Sequence, residues 1–195
     1  MEAERLRAMI ASAKAGQAEG YEALLAHYGP RLYGYFFRST RSHHDAEDML
    51  GELTLRLVRT LKRYDERGRF EPWLFRIAAN MIRDRIRRRK ANPKPVSLSV
   101  EGAGGDAMVD RLPGAARPVD AGMLAAEASE ELNEALDKLD ATTREMILLR
   151  HFGQMSFKEI AELFECPLGT ALARVHRGIK ALRRVMGGTD ERAEG

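Results

Sequence analysis

The prolines of this 195-residue chain are concentrated in one stretch, which divides the sequence in two. Four of the seven prolines lie between residues 91 and 120, together with four glycines. Proline and glycine both interrupt helices, and this stretch has few large apolar residues that could anchor it to a core. We therefore predict a flexible linker at 91–120 between two domains, at 1–90 and 121–187, and a disordered tail at 188–195.

Both domains have the periodicity of helices, and neither has the sustained alternation of a β-strand. The pattern predicts four helices in each, at about 3–28, 30–40, 45–63 and 70–90, and then at about 123–139, 143–152, 157–164 and 167–186. Capping boxes are predicted at Thr142-x-x-Glu145 and Ser156-x-x-Glu159. Three prolines are expected where helices begin: Pro30, Pro72 and Pro167. The fold class is therefore all-α, two small helical bundles joined by a flexible linker.

Composition and charge exclude several classes of protein. The net charge is only +3, but the cations are segregated, which matters more than their sum for binding a polyanion. The single cysteine, Cys166, rules out an internal disulfide, fits a reducing compartment and is expected to be structural. No apolar run approaches the roughly 18 residues of a membrane span. We expect a cytoplasmic protein that does not insert into membranes.

Residues 156–186 contain the parts of a helix–turn–helix: a short capped helix, a tight break at 165–166, and a longer helix opened by Pro167. An apolar stripe on the longer helix is predicted to face the core: Leu168, Ala171, Leu172, Val175, Ile179, Leu182 and Met186. Small and basic residues then project outward: Thr170, Ala173, Arg174, Arg177, Ala181 and Arg184. The alternative is a solvated basic face on an ordinary bundle helix, but the short capped helix in front favours DNA binding.

The stretch from Leu139 to Arg183 resembles the fourth domain of sigma factors of the extracytoplasmic-function type. The matching residues are Leu139, Arg144, Glu145, Leu148, Leu149, Arg150, Ser156, Glu159, Ile160, Ala161, Pro167, Gly169, Thr170, Arg174, His176 and Arg177. Leu172 stands where that family usually has lysine or arginine. The resemblance implies that a set of residues on the last helix binds the −35 promoter element: Thr170, Ala173, Arg174, His176, Arg177 and Arg184.

The helix predicted from Asp45 places Leu55 almost opposite its apolar stripe. A single exposed leucine is by itself unremarkable. The acidic start of this helix, however, resembles the polymerase-binding helix of the second sigma domain, although Gly51 replaces the usual glutamine. The resemblance implies a surface that contacts core RNA polymerase: Asp45, Asp48, Glu52, Leu55 and Arg59.

The next predicted helix carries Arg76, Asn80, Arg83 and Arg87 at helical spacing, and its end, residues 83–90, has six cations and one anion. Such a row fits the phosphates of a duplex, and the alternative is a solvated helix end. Residues 73–87 match the sigma signature W-L-(F/Y)-R-I-A-x-N-x-x-x-D-x-x-R, and Trp73 is predicted to be core. The resemblance implies a −10 surface that includes a preceding loop able to capture a flipped base: Tyr64, Asp65, Arg67, Arg76, Asn80, Arg83, Asp84 and Arg87.

Together, the two motifs imply a sigma factor that binds core RNA polymerase and promoter DNA, with an anti-sigma factor as a further partner. The resemblance implies binding without catalysis and without a cofactor. A free-standing helix–turn–helix regulator is the alternative, and it would usually be a dimer. An enzyme is disfavoured because the sequence has no metal-ligand spacing, phosphate loop or nucleophile–base pair.

Overall fold

The computed structural model describes residues 2–65, 68–91 and 130–187. These residues form two compact units, and we refer to 2–91 as unit 1 and to 130–187 as unit 2. Every regular element among them is helical, which confirms the predicted all-α class. Most of the predicted linker, the start of the helix predicted at 123–139, and the tail at 188–195 lie outside the described residues.

Unit 1 contains four α-helices and one 3-10 turn, which follows the third of them. The α-helices are α1 (Glu2–Lys14), α2 (Ala18–Thr40), α3 (His43–Thr60) and α4 (Phe70–Ala91), and the 3-10 turn is Leu61–Arg63. Large side chains from the last three α-helices and the turn fill the core, among them Tyr28, Tyr35, Phe36, Leu53, Leu61, Phe70 and Phe75. The rings of Tyr35 and Phe75 meet edge to face at 5.8 Å, which ties α2 to α4.

The predicted break between the first two helices was wrong. The chain turns at 15–17, where Gly16 has a φ of 82°, and α2 then continues through Pro30. Proline inside a helix removes one hydrogen bond and clashes with the preceding turn. Tertiary burial offsets that cost here, because Tyr28 and Leu32, on either side of Pro30, are both buried. Pro72, as predicted, lies in the first turn of α4.

Unit 2 also contains four helices within the described range. They are α5 (130–137), α6 (Ala141–Phe152), α7 (Phe157–Leu163) and α8 (Leu168–Gly187). The predicted capping box at Ser156 is confirmed: Ser156 Oγ accepts from the Glu159 backbone N–H at 3.2 Å, and Ser156 N donates to Glu159 Oε2 at 2.7 Å. The helix α6 ends at Phe152, as predicted, and Gly153 is its C-cap.

The capping box predicted at Thr142 was wrong. The N-cap of α6 is Asp140, whose carboxylate accepts from the Thr143 backbone N–H at 3.0 Å. Aspartate is a stronger N-cap than threonine, and Thr143 is buried. The helix therefore begins at Ala141, two residues earlier than the prediction.

The helix–turn–helix is formed by α7, a turn and α8. In the turn, Glu165 has a φ of 51°, and Cys166 N donates to Ala161 O at 3.0 Å. Ala171, Val175 and Leu182 face the core as predicted. The rest of the predicted core stripe was wrong, because four of its residues are 36–48% exposed: Leu168, Leu172, Ile179 and Met186. Among the described helices, α6 and α7 pack on α8, and its buried residues are Ala171, Val175, Gly178 and Leu182, so the four exposed residues lie outside the covered side.

Candidate nucleic-acid interface

The outer face of α8 carries the side chains that were predicted to bind the −35 element. Arg174 is half-buried, and the other five are exposed: Thr170, Ala173, His176, Arg177 and Arg184. Arg174 Nη1 lies 3.2 Å from Asp140 Oδ1, and Arg177 Nε donates to Ala173 O at 3.3 Å. The helix therefore presents two arginines beside small side chains, which leaves space for a duplex to approach.

A cleft lies between the outer face of α8 and the start of α6. Its lining includes Lys138, Arg174 and Arg177 as cations, with Asp140 at the rim. Hydrogen bonds from the side chain and backbone of Thr143 hold the pKa of Asp140 below its usual value, and Arg174 lowers it further. Asp140 is therefore ionised at neutral pH and orients Arg174 while it caps α6.

A second basic face runs along α4. We call Arg76, Asn80, Arg83 and Arg87 the basic row; Arg83 is half-buried and the other three are exposed. Asp84 stands beside the row, and its Oδ1 accepts from Arg87 Nη2 at 2.9 Å. The row thus follows one side of α4 over about three turns, which suits contacts with successive backbone phosphates.

The start of the loop before α4 has its aromatic side chain in the core of unit 1. Tyr64 is only 7% exposed, and its ring packs 4.6 Å from Trp73 and 5.4 Å from Phe70. This packing argues against a base-stacking role for Tyr64. Trp73, which was predicted to be core, packs on this buried ring but is itself only half-buried. Asp65 is exposed, and Arg67 lies outside the described residues.

The sequence reasoning missed a contact between α1 and this loop. Lys14 Nζ donates to the backbone carbonyl oxygen of Tyr64 at 2.7 Å, across 50 positions of the chain. The contact fixes the point where the loop leaves the core. A lysine at the end of an amphipathic helix has no sequence signal that identifies such a partner.

The exposed side of α3 carries an apolar patch within a charged surface. Leu55 is 60% exposed and Val58 is 43% exposed, and Val58 was not predicted to belong to this face. Asp48, Glu52 and Arg59 are also exposed. Leu55 therefore does lie opposite the buried stripe of α3, as the periodicity predicted.

Asp45 has a different environment from the rest of the predicted polymerase surface. Its side chain is only 13% exposed and forms ion pairs with Arg85 and Arg89 of α4. Its carboxylate therefore faces a neighbouring helix.

No helix within 2–65, 68–91 or 130–187 is long and apolar enough to cross a membrane. Over the same residues, no group of three or more histidine, cysteine, aspartate or glutamate side chains could hold a metal ion.

Two helical units, one with a basic row and one with a basic helix–turn–helix, define a class of DNA-binding protein with two separate contact surfaces. Two family models match the chain, one in each unit. Residues 24–92 match the family model for Sigma-70 region 2, and residues 129–182 match the model for Sigma-70 region 4.

Whole-chain relatives support the same family. The chain is 32% identical over 176 residues to the RNA polymerase sigma factor CarQ of Myxococcus xanthus, with 88% of this chain and 92% of CarQ covered. It is 29% identical over 180 residues to the ECF RNA polymerase sigma factor SigW of Bacillus subtilis, with 92% and 95% covered. The chain belongs to the extracytoplasmic-function (ECF) subfamily of the sigma-70 family. It is an RNA polymerase sigma factor, which binds core polymerase and the −10 and −35 elements to direct promoter-specific initiation.

Solved structures show the same fold. The sigma factor RpoE of Bartonella quintana, solved with the anti-sigma factor NepR, has a TM-score of 0.64 at 20% identity, covering 87% of this chain and 98% of that one. CnrH, solved with the cytosolic domain of CnrY, has a TM-score of 0.61 at 23% identity, covering 93% and 97%.

Proposed function

We propose that α8 binds the −35 element and that the basic row of α4 binds the −10 element. The observation that carries this assignment is the presence of one exposed basic face in each unit, each within a stretch that a different sigma-70 region model matches. Each face contains arginines at helical spacing, the residue best suited to bidentate contacts with phosphates and guanine.

In unit 2, Arg174 and Arg177 contact bases or phosphates of the −35 duplex. Thr170 and Ala173 allow the helix to approach closely, while His176 and Arg184 extend the contact along the groove or backbone. Leu172 is 42% exposed at a position where relatives usually carry a cation. It therefore offers the −35 duplex apolar contact, for instance with a thymine methyl group, instead of a charge.

In unit 1, Arg76, Arg83 and Arg87 hold phosphates of the −10 region, and Asn80 is placed to contact a base edge. Asp84 orients Arg87 through their 2.9 Å contact. Asp65 and Arg67 belong to the loop that would capture an unpaired base. Tyr64 contributes to that loop through its backbone, which Lys14 fixes, because its ring is buried.

The exposed face of α3 is the proposed contact with core RNA polymerase. Leu55 and Val58 supply apolar area, and charged neighbours provide a polar rim: Asp48, Glu52 and Arg59. Asp45 was expected to belong to this face, but its carboxylate pairs with Arg85 and Arg89 of α4, and we leave it out of the proposed contact.

The protein acts by binding, without catalysis of its own, as sigma factors do, and it works in the cytoplasm on promoter DNA. We also propose that an anti-sigma factor regulates it, since a sigma factor of the same fold is described in complex with one. A free-standing regulator is not favoured, because both units match parts of a polymerase-bound factor.

The experiment is transcription from mapped promoters with reconstituted holoenzyme. Promoters are first located by sequencing transcripts after overexpression and aligning their upstream regions. Run-off transcription is then measured with R83Q/R87Q and with R174Q/R177Q, each of which removes two cations. We expect each double variant to lower promoter-selective product at least tenfold, since each lost contact costs on the order of 1 kcal/mol or more.

The matched control is R5Q/R7Q, which removes two exposed cations from α1. It should leave start-site selection and yield close to wild type. If both test variants retain wild-type start-site choice, the assignment of the two DNA surfaces is wrong.

A further inference from the structure

The basic end of α4 has two sides, and only one of them belongs to the basic row. With about 100° between successive residues of a helix, Arg85 and Arg89 lie roughly opposite Arg83 and Arg87. A run of six cations between residues 83 and 90 therefore does not form one uniform surface. The two sides have different surroundings in the fold.

Asp45 meets the side of α4 that faces away from the basic row. Its Oδ2 lies 2.6 Å from Arg89 Nη2, and its Oδ1 pairs with Arg85 Nη2. Each carboxylate oxygen thus receives one guanidinium group from successive turns of α4. Asp45 is held in the first turn of α3, since its backbone N–H donates to Ser42 Oγ at 3.2 Å.

The three groups of this contact differ in exposure, since Arg89 is 62% exposed and the other two are more sheltered. The side chain of Asp45 is 13% exposed and that of Arg85 is 31% exposed. The Nε atom of Arg85 is buried and has no hydrogen-bond partner among the described residues. Because part of the Arg85 guanidinium is removed from water, its pairing with Asp45 is worth more than an exposed surface pair.

A counter-ion stabilises the end of α4, because like charges at i,i+4 spacing weaken a helix. Arg83 and Arg87 repel each other at i,i+4 spacing, and Arg85 and Arg89 do the same. Asp84, in the same helix, offsets the repulsion between Arg83 and Arg87 by its contact with Arg87. Asp45, which lies on α3, offsets the repulsion between Arg85 and Arg89. It thereby attaches the last turns of α4 to the helix that we propose as the polymerase contact.

We propose that Asp45, Arg85 and Arg89 form an interhelical brace, and that Asp45 is a positioning residue for promoter binding. The brace holds the end of α4 in place, so that Arg83 and Arg87 present a fixed geometry to the −10 duplex. Arg85 and Arg89 themselves do not contact DNA. This inference rests on the proposed DNA face of α4.

The test is D45N. The brace and simple electrostatics predict opposite changes in the affinity of this variant for promoter DNA. Loss of a negative charge near a DNA surface should by itself tighten DNA binding. Loss of the brace should weaken it, and we expect about fivefold weaker binding of holoenzyme to a mapped promoter fragment. Each sigma variant is supplied at saturating concentration, so that the measurement reports DNA binding. D45E should restore most of the affinity.

The arginines are tested by R85Q/R89Q and by its combination with D45N. If the pair acts only through Asp45, the triple variant binds no more weakly than R85Q/R89Q alone. The dependence of log affinity on log salt should also keep its slope. Direct phosphate contacts would instead lower that slope by about 0.9 for each arginine.

E22Q is the charge control, because it removes one exposed anion from α2. It should bind promoter DNA as tightly as wild type or slightly more tightly. The brace is refuted if D45N binds promoter DNA as tightly as E22Q. It is also refuted if R85Q/R89Q lowers the slope of log affinity against log salt by the amount expected for two lost phosphate contacts. Failure of the proposed DNA surface looks different, because R83Q/R87Q would then leave promoter binding unaffected.

Discussion

Gly178 decides, at the scale of single residues, how closely α6 and α8 can pack. A Cβ atom placed on Gly178 would lie 2.6 Å from Ile147 Cδ1 and 2.6 Å from Thr143 Cγ2. Glycine inside a helix costs about 1 kcal/mol relative to alanine. That cost is offset here because no side chain fits between the two helices. The sequence analysis did not single out Gly178, since helical periodicity does not show which position faces a close neighbour.

We predict that G178A destabilises unit 2 by about 1–3 kcal/mol, because the added methyl group must displace Ile147 or the β-branched Thr143. Urea denaturation followed by circular dichroism measures the change. G169A is the control on the same helix, because open space surrounds Gly169. It should keep or slightly raise the stability. Equal midpoints for the two variants would contradict the packing argument.

At the scale of elements, the ends of helices were predicted less well than their existence. Pro30 was expected to begin a helix, yet α2 passes through it. Thr142 was expected to cap α6, yet Asp140 does so. Both errors have one cause: local signals compete, and tertiary contacts choose between them. Ser156, where the signal had no strong competitor nearby, was predicted correctly.

We predict that the cap at Asp140 makes the stability of unit 2 depend on pH. The pKa of Asp140 is lowered in the folded state, first by the Thr143 hydrogen bonds. Its stabilising effect is therefore complete above the ordinary aspartate pKa, and it is lost as the pH falls through the lowered value. At neutral pH, D140A should cost about 1 kcal/mol.

Urea midpoints measured between about pH 2 and 7 check this prediction. D140N is the matched variant, because asparagine also caps helices but carries no charge. The stability difference between wild type and D140N should shrink as the pH falls. A difference that is constant over the whole range would show that the charge of Asp140 plays no part.

At the scale of the whole molecule, the two units act through a shared partner. We propose one DNA-binding face in each unit, and two contacts on one chain gain affinity through effective concentration once one is docked. Promoter choice therefore depends on attachment to polymerase as much as on the arginines. Leu55, 60% exposed on α3, lies at the centre of the proposed attachment surface.

We predict that L55E lowers affinity for core RNA polymerase at least tenfold, because a buried carboxylate at the interface has no partner. Transcription from every mapped promoter should fall together. Folding should be unaffected, since Leu55 contributes little to the core. A8E places the same charge on the exposed side of α1 and serves as the control. Wild-type affinity in L55E would exclude this face of α3.

The amino-acid sequence by itself determined the helical class, the helix–turn–helix, the basic row and the family. Periodicity, capping residues and short motifs are properties of neighbouring residues, so they can be read without a fold. Three outcomes became visible only in the fold: α2 continues past Pro30, the ring of Tyr64 is buried against Trp73, and Asp45 of α3 pairs with arginines of α4. These outcomes depend on packing and ion pairs between distant parts of the chain, and no local pattern encodes such contacts.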